Sequence, residues 1–294
     1  MKLGITGAFG VIGKVLQGLA AERGHTVVPF SRSPGRGARA FGLQTLPDLS
    51  GLDAVLHLAG EPVLGLWTKE KKRRILQSRV EGTRRIVEAM GKDSSGPRTL
   101  VCASAIGFYG DTGETVADEN SALGNGFLAE VCRDWEEEAR CAERFGIRVA
   151  RVRVGFVLGR GGAMTLIRPV FGFGLGGNLG SGCQWMSGVH EEDAAGLFLW
   201  AAENPAASGA YNAVMPEPFR NADFTREVAR VLHRAAFLPA PAFVLKLVLG
   251  ELSGVMLDSF RVNPSRTQEA GYVFRFATLP AALQDVLTGR CGKI

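Results

Sequence analysis

Cysteine is scarce in this 294-residue chain: Cys102, Cys132, Cys141, Cys183 and Cys291 form an odd set with no Cys-x-x-Cys pair. That spacing excludes a disulfide framework and a zinc-thiolate site. Histidine is equally sparse, and His25, His57, His190 and His233 are too scattered for metal-ligand spacing, so no metal is expected. Only three tyrosines occur, Tyr109, Tyr211 and Tyr272. A membrane-length apolar run is missing too. The longest, Phe237 to Leu249, contains Pro239, Pro241 and Lys246 and falls short of the roughly 18 apolar residues a span needs, so it reads as a buried helix. No charged, apolar and small-residue leader precedes the first strand-like run, Lys2 to Thr6, and together with the cysteine usage this points to the cytoplasm.

What the chain does have is core-forming material, 46% hydrophobic residues, arranged as short apolar runs alternating with helical patterns. Strands are expected at Lys2 to Thr6, Thr26 to Phe30, Ala54 to Leu58, Thr99 to Ala103 and Arg148 to Val154, each mostly apolar, as strands buried on both faces are. Between them Ile12, Val15, Leu16, Leu19 and Ala20, and later Ile75, Leu76, Val80, Ile86 and Val87, recur at helical spacing. This is the pattern of a doubly wound parallel sheet. Pro29 cannot donate to a sheet ladder, so the second strand is expected to stop early. Eleven of the 39 glycines fall between Gly155 and Gly188, which marks a loop region that is either a lid or plainly flexible. Amphipathic helices are expected at Phe224 to Leu232, Phe243 to Leu252 and Leu279 to Leu287. The division expected is a nucleotide-binding part, 1–158 with 186–215, and a smaller, mainly helical substrate-binding part, 159–185 with 216–294.

The net charge is +5, and its densest point is Lys69, Lys71, Lys72, Arg73 and Arg74. Only Trp67 offers a stacking aromatic nearby, so this run reads as a solvated helix face, and neither a nucleic-acid nor a membrane partner is expected. A small-molecule substrate is; a protein partner or a second copy of the chain is left open.

The strongest motif is TGAFGVIG, Thr6 to Gly13, between the first strand and the first helix. Gly7, Gly10 and Gly13 permit the tight turn, the close approach of a pyrophosphate and close helix-on-strand packing, while the helix N-terminus faces the negative charge. Phe9, Val11 and Ile12 complete this turn. About twenty residues on, where an acidic residue would hold the ribose of NAD, stand Ser31, Arg32 and Ser33. A guanidinium there suits the 2′-phosphate of NADP, which is therefore preferred over NAD. Further cofactor contacts are expected at the ends of the next strands, from Leu58, Ala59 and Gly60 in DAVLHLAGEP and from Ala103 and Ser104. Glu61 lies just past one of these ends, where ligands bind in such sheets; otherwise it is a loop acid in water.

TGAFGVIG, DAVLHLAG, SRVEGTRRIVEAM, VCASAIGFYG and VHEED together resemble the extended short-chain dehydrogenases and reductases, which include the NAD-dependent epimerases and dehydratases. The LGRGG stretch at 158–162, GLGGNLGSGCQW at 174–185 and the C-terminal segment 237–287 are most similar to an atypical NADP-binding "epimerase family" subgroup. The resemblance implies an NADP-dependent oxidoreductase or epimerase-like enzyme. It also implies a serine, a tyrosine and a lysine four residues after it, of which the lysine tunes the phenol for proton transfer. Those residues are not here. Aligned on Tyr109-Gly110, the serine position is Ala105 with Ser104 beside it, and the tyrosine and lysine positions are Phe127 and Val131. Gly113, Met215 and Phe276 stand four residues after the three tyrosines, so no Tyr-x-x-x-Lys exists anywhere. Glu61, Ser104 and Tyr109 remain as catalytic candidates, with Gln184, Trp185 and His190 as further polar groups; His190 with Asp193 could equally brace a helix start. Arg79 stands at the family's active-site asparagine and is expected to reach the cofactor. The rival reading is a non-catalytic NADP(H)-binding sensor that acts on a protein partner, cell division being one example.

Overall fold

The computed structural model describes residues 1–33, 35, 37–92 and 95–289; Cys291 lies outside them. Seven strands form one parallel sheet: β1 (Lys2–Thr6), β2 (Thr26–Ser31), β3 (Arg39–Ala40), β4 (Ala54–His57), β5 (Thr99–Ala105), β6 (Arg148–Val154) and, after three short strands, β10 (Gly209–Ala213). Their order is β10-β6-β5-β4-β1-β2-β3, so the winding reverses between β1 and β4. That reversal opens a crevice at the carboxyl ends of the strands, where ligands bind in such sheets.

Helices α1 (Val11–Glu22) and α5 (Glu191–Glu203) pack together, as do α2 (Lys69–Lys92) and α3 (Phe127–Arg140). The strands are apolar because both faces are covered: Leu3, Ile5, Leu56, Leu100 and Val152 are all fully buried. Each such side chain contributes roughly 1.5–3 kcal/mol by leaving water. Pro29 does not end β2, which continues to Ser31 with Pro29 opposite Ile5. The reason is local. On its other flank β2 meets only the two-residue β3, which pairs with Phe30 and Ser31, so no ladder partner stands beside the proline.

The remaining chain folds onto one end of this layer. It contains β7 (Phe156–Leu158) paired with β9 (Gly188–His190), β8 (Trp185–Met186) paired with β11 (Phe219–Arg220), α4 (Met164–Gly172), α6 (Asn221–Leu232), α7 (Ala242–Leu249), α8 (Gly254–Leu257), α9 (Ser265–Glu269) and α10 (Leu279–Thr288). Leu158, Phe171, Phe224, Val228, Leu283 and Val286 form its own apolar cluster. The apolar run Phe237 to Leu249, expected to be buried, is not. None of the residues of α7 is buried, and Phe243 and Leu247 are 72% and 84% exposed. Hydropathy records what a helix is made of, not whether another layer covers it; α7 rests mainly on the turn that follows it.

Candidate functional site

The crevice begins at the turn between β1 and α1. Gly7 has φ +67°, and a Cβ there would lie 2.8 Å from the Leu58 carbonyl carbon and 2.9 Å from the Ala59 nitrogen. A Cβ on Gly13 would collide with the Gly7 carbonyl oxygen. Both positions therefore need glycine, and Gly10 starts α1 with no side-chain cap on its first amides. Those amides are free to receive an anion. Phe9 stands half-exposed beside them. From above, Gly159 and Gly161 press on Val11, and a Cβ on Gly161 would come within 2.8 Å of it. The LGRGG loop thus roofs the start of α1, a contact the sequence did not reveal.

Under the turn, the Thr6 hydroxyl accepts from the Leu58 and Ala59 amides at 3.1 and 3.2 Å and meets His57 Nδ1 at 2.6 Å. With its acceptor capacity used, the hydroxyl donates to Nδ1, which places the imidazole proton on Nε2; that atom is buried without a hydrogen-bond partner. Burial holds the His57 pKa down at about 3. His57 is a foundation of the cradle and faces no solvent.

Arg32 is exposed at the end of β2 and makes no hydrogen bond or ion pair among the described residues, while Ser31 Oγ accepts the Ser33 amide at 3.2 Å. The Arg32 charge reaches Glu61. Glu61 is not an available acid: Lys71 Nζ donates to it at 2.8 Å and Arg74 lies at 3.6 Å, and the Lys71 hydrogen bond holds its pKa below the usual range. Part of the basic run at 69–74 is therefore turned inward, which corrects its reading as a wholly solvated face. Arg79 donates to the Glu61 and Ile75 carbonyls at 3.0 and 3.2 Å and lies over the Trp135 ring. Its guanidinium abuts Gly60, where a Cβ would sit 3.2 Å from Cζ. Leu58, Ala59, Gly60, Ala103 and Arg79 thus gather around the ends of β4 and β5.

Ser104 and Tyr109 have other employment. Both are buried. The Ser104 hydroxyl donates to Glu136 Oε1 at 2.7 Å, and Arg153 reaches the same carboxylate at 2.8 and 3.0 Å, with Arg151 at 3.2 Å. Arg153 also donates to the Tyr109 hydroxyl at 2.9 Å, which in turn donates to Asn212 at 2.8 Å. Burial pushes the Tyr109 phenol up to about 12, so it does not ionise near neutral pH. The sequence-based search for catalytic groups missed Glu136 and Arg153, which define this corner.

The other polar candidates are also engaged. Gln184 donates to the Leu179 and Met256 carbonyls, and Trp185 donates to Glu114 between the flanking guanidiniums of Arg220 and Arg261. His190 caps α5 by accepting the Glu192 amide and meets Asp285 at 3.2 Å; burial lowers its pKa to about 4. Asp193 accepts the Arg275 and Phe276 amides. The helix-bracing alternative describes His190, while Asp193 ties the segment before α10 to α5.

Phe127 opens α3, edge-on to Trp67 at 5.2 Å, with Lys72 Nζ 4.6 Å from its ring centre. Val131, one turn on, is buried. Neither side chain carries a proton to give.

The sequence profile of the "NAD dependent epimerase/dehydratase family" matches residues 3–214, and a domain of unknown function, DUF1731, matches residues 240–286. The chain is 36% identical over 303 residues to the "Epimerase family protein SDR39U1 homolog, chloroplastic" of Arabidopsis thaliana, covering 98% of this chain and 87% of that one. The crystal structure of human epimerase family protein SDR39U1 (isoform2) with NADPH superposes with a TM-score of 0.91 at 33% identity, over 99% of this chain and 100% of that one. The nucleoside-diphosphate sugar epimerase from Corynebacterium glutamicum superposes with a TM-score of 0.81 at 33% identity, over 98% of this chain and 58% of that one.

Proposed function

Because the chain belongs to the NAD dependent epimerase/dehydratase family, as an atypical extended short-chain dehydrogenase, we propose that it binds NADP(H) in preference to NAD(H) and acts as an oxidoreductase on a small molecule. The observation that carries the cofactor preference is Arg32, uncommitted and exposed beyond the glycine turn. The cradle residues fit the dinucleotide: Gly7 and Gly13 let the turn and the start of α1 close onto their neighbours, the start of α1 supplies amides for a pyrophosphate, and Arg32 with Ser31 supplies donors for a 2′-phosphate. Arg79 adds a fixed positive charge beside Gly60. The nicotinamide, when bound, supplies or accepts a hydride.

This chain's contribution at the reacting end is positioning. With Phe127, Val131 and Ala105 at the three positions of the usual apparatus, and with Ser104 and Tyr109 tied to Glu136 and Arg153, the accompanying proton is exchanged with solvent. A positioned side-chain acid or base typically adds about a hundredfold to ten-thousandfold, so slow turnover is expected. The same commitment of the Ser104 and Tyr109 hydroxyls favours a second reading, a non-catalytic NADP(H) sensor acting through a protein partner.

The deciding measurement is titration of NADPH and of NADH into the purified, nucleotide-stripped chain, followed by quenching of its four tryptophans. Arg32→Ala should weaken NADPH binding at least tenfold and leave NADH binding nearly unchanged; equal losses for both would refute the 2′-phosphate assignment. Tight NADPH binding without any substrate-dependent oxidation would favour the sensor.

A further inference from the structure

Beyond the start of α3 lies a cleft of about 250 Å³, closed on one side by the turn after β5 and on the other by residues 251–260. Its walls carry Trp67, Phe127, Leu128, Val255 and Phe260. We propose that this cleft takes a small, non-anionic and largely apolar molecule, and that it rejects the sugar nucleotides for which proteins of this fold are named. The proposal rests on the reading that NADP(H) occupies the adjoining crevice, because Phe127 then stands where substrate and nicotinamide meet.

Two observations carry it. First, the ionisable groups lining the cleft are Asp111, Glu251 and Asp258, all carboxylates. A nucleoside diphosphate carries negative charge on adjacent phosphates and is held by guanidinium or ammonium groups, none of which lines this cleft. Lys72, beside the cleft, is already engaged, its Nζ donating to Glu251 at 2.7 Å and lying over the Phe127 ring, and Lys246 acts on Asp258 without lining the cleft. Asp258 is partly buried with Asp111 acting on it, and the two together raise its pKa, so a further anion would be repelled. Second, the cleft is smaller than the roughly 300–1,000 Å³ of sites that enclose a drug-sized ligand, which leaves space for about one ring and a short chain. Its approaches are apolar too. Leu66, next to Trp67, is 61% exposed, and α7, bare along its length, runs directly into the turn that contributes Glu251.

Three probes separate charge from shape: 2-phenylethanol, phenylacetate and UDP-glucose, each titrated calorimetrically into the full chain with and without saturating NADPH. 2-Phenylethanol should bind, phenylacetate should bind at least tenfold more weakly, and UDP-glucose should give no heat. Val255→Trp should abolish 2-phenylethanol binding with NADPH affinity unchanged, and Asp258→Asn should narrow the gap between the alcohol and the acid. UDP-glucose binding, a preference for phenylacetate, or 2-phenylethanol binding that neither variant alters would overturn the proposal. The NADPH titration alone tests the cofactor reading, so loss of nucleotide binding with the probe order intact would remove that reading and leave the cleft assignment standing.

Discussion

The nucleotide end and the proton-transfer end of the crevice treat polar groups in opposite ways. At the nucleotide end they stand open: the first amides of α1 lack a side-chain cap, and the Arg32 guanidinium makes no hydrogen bond or ion pair among the described residues. At the other end they are consumed, with Ser104, Tyr109, Arg151, Arg153 and Asn212 linked directly or in turn to Glu136. A group awaiting a ligand is left unsatisfied at the surface, where water stands in for it. A buried group must be satisfied by the protein itself, at a cost of about 1–3 kcal/mol if it is not. On the reading proposed above, the contrast teaches that this chain would retain the binding half of its family's apparatus while the proton-transfer half has become framework.

Glu136→Gln breaks the contrast most severely. It leaves two guanidiniums, one of them nearly fully buried, without their counter-charge, and should cost about 3–5 kcal/mol in urea unfolding. NADPH affinity measured below the unfolding midpoint should be retained; an unchanged midpoint would show that the network holds nothing in place.

Acid loosens the structure from beneath. His57 and His190 have folded pKa values of about 3 and about 4, against roughly 6.5 when unfolded. The unfolded chain therefore binds more protons below pH 6.5. The stability from keeping these rings neutral is complete above that pH and is lost as pH falls toward 4. By linkage the pair should lose about 4 kcal/mol between pH 7 and pH 5, read as a fall in the urea midpoint. His57→Asn should remove about half of that dependence, and a pH-independent midpoint would contradict the buried neutral state.

The smallest effect sharpens the comparison. Phe127→Tyr with Val131→Lys writes the missing pair back into α3, yet turnover with any substrate the parent accepts should rise by less than about tenfold. The serine position remains Ala105, and the new lysine would start from a buried site that disfavours its charge. A large gain would mean that the rest of the apparatus had survived after all.

Much of this was legible in the sequence. Strands β1, β2, β4, β5 and β6 of the main sheet declared themselves as short apolar runs, whereas the two-residue β3 did not, and TGAFGVIG lay between strand and helix as its glycines require. The absence of tyrosine and lysine from α3 needed only counting. The Glu136 network was not legible, because its members lie up to about a hundred residues apart and each looks ordinary in place. In RVRV the arginines alternate as though facing water, and a glutamate on a helix reads as solvent-exposed. Arg153 is instead stacked over Phe108 at 3.5 Å and buried. Local pattern reports periodicity, whereas pairing between a helix and a strand depends on how the layers meet.

The bare face around α7 governs how copies of the molecule treat one another. Phe173, Leu175, Phe237, Leu238, Phe243, Leu247 and Val248 are all exposed, and the Leu238 amide donates to the Gly176 carbonyl at 3.1 Å. The stickiness of that surface is opposed by mutual repulsion of a net charge of +5. Salt shortens the reach of the repulsion, to about 8 Å at physiological ionic strength, and leaves the apolar attraction intact. The colloidal balance of this protein should therefore tip toward clustering as salt rises, the reverse of an assembly held by ion pairs.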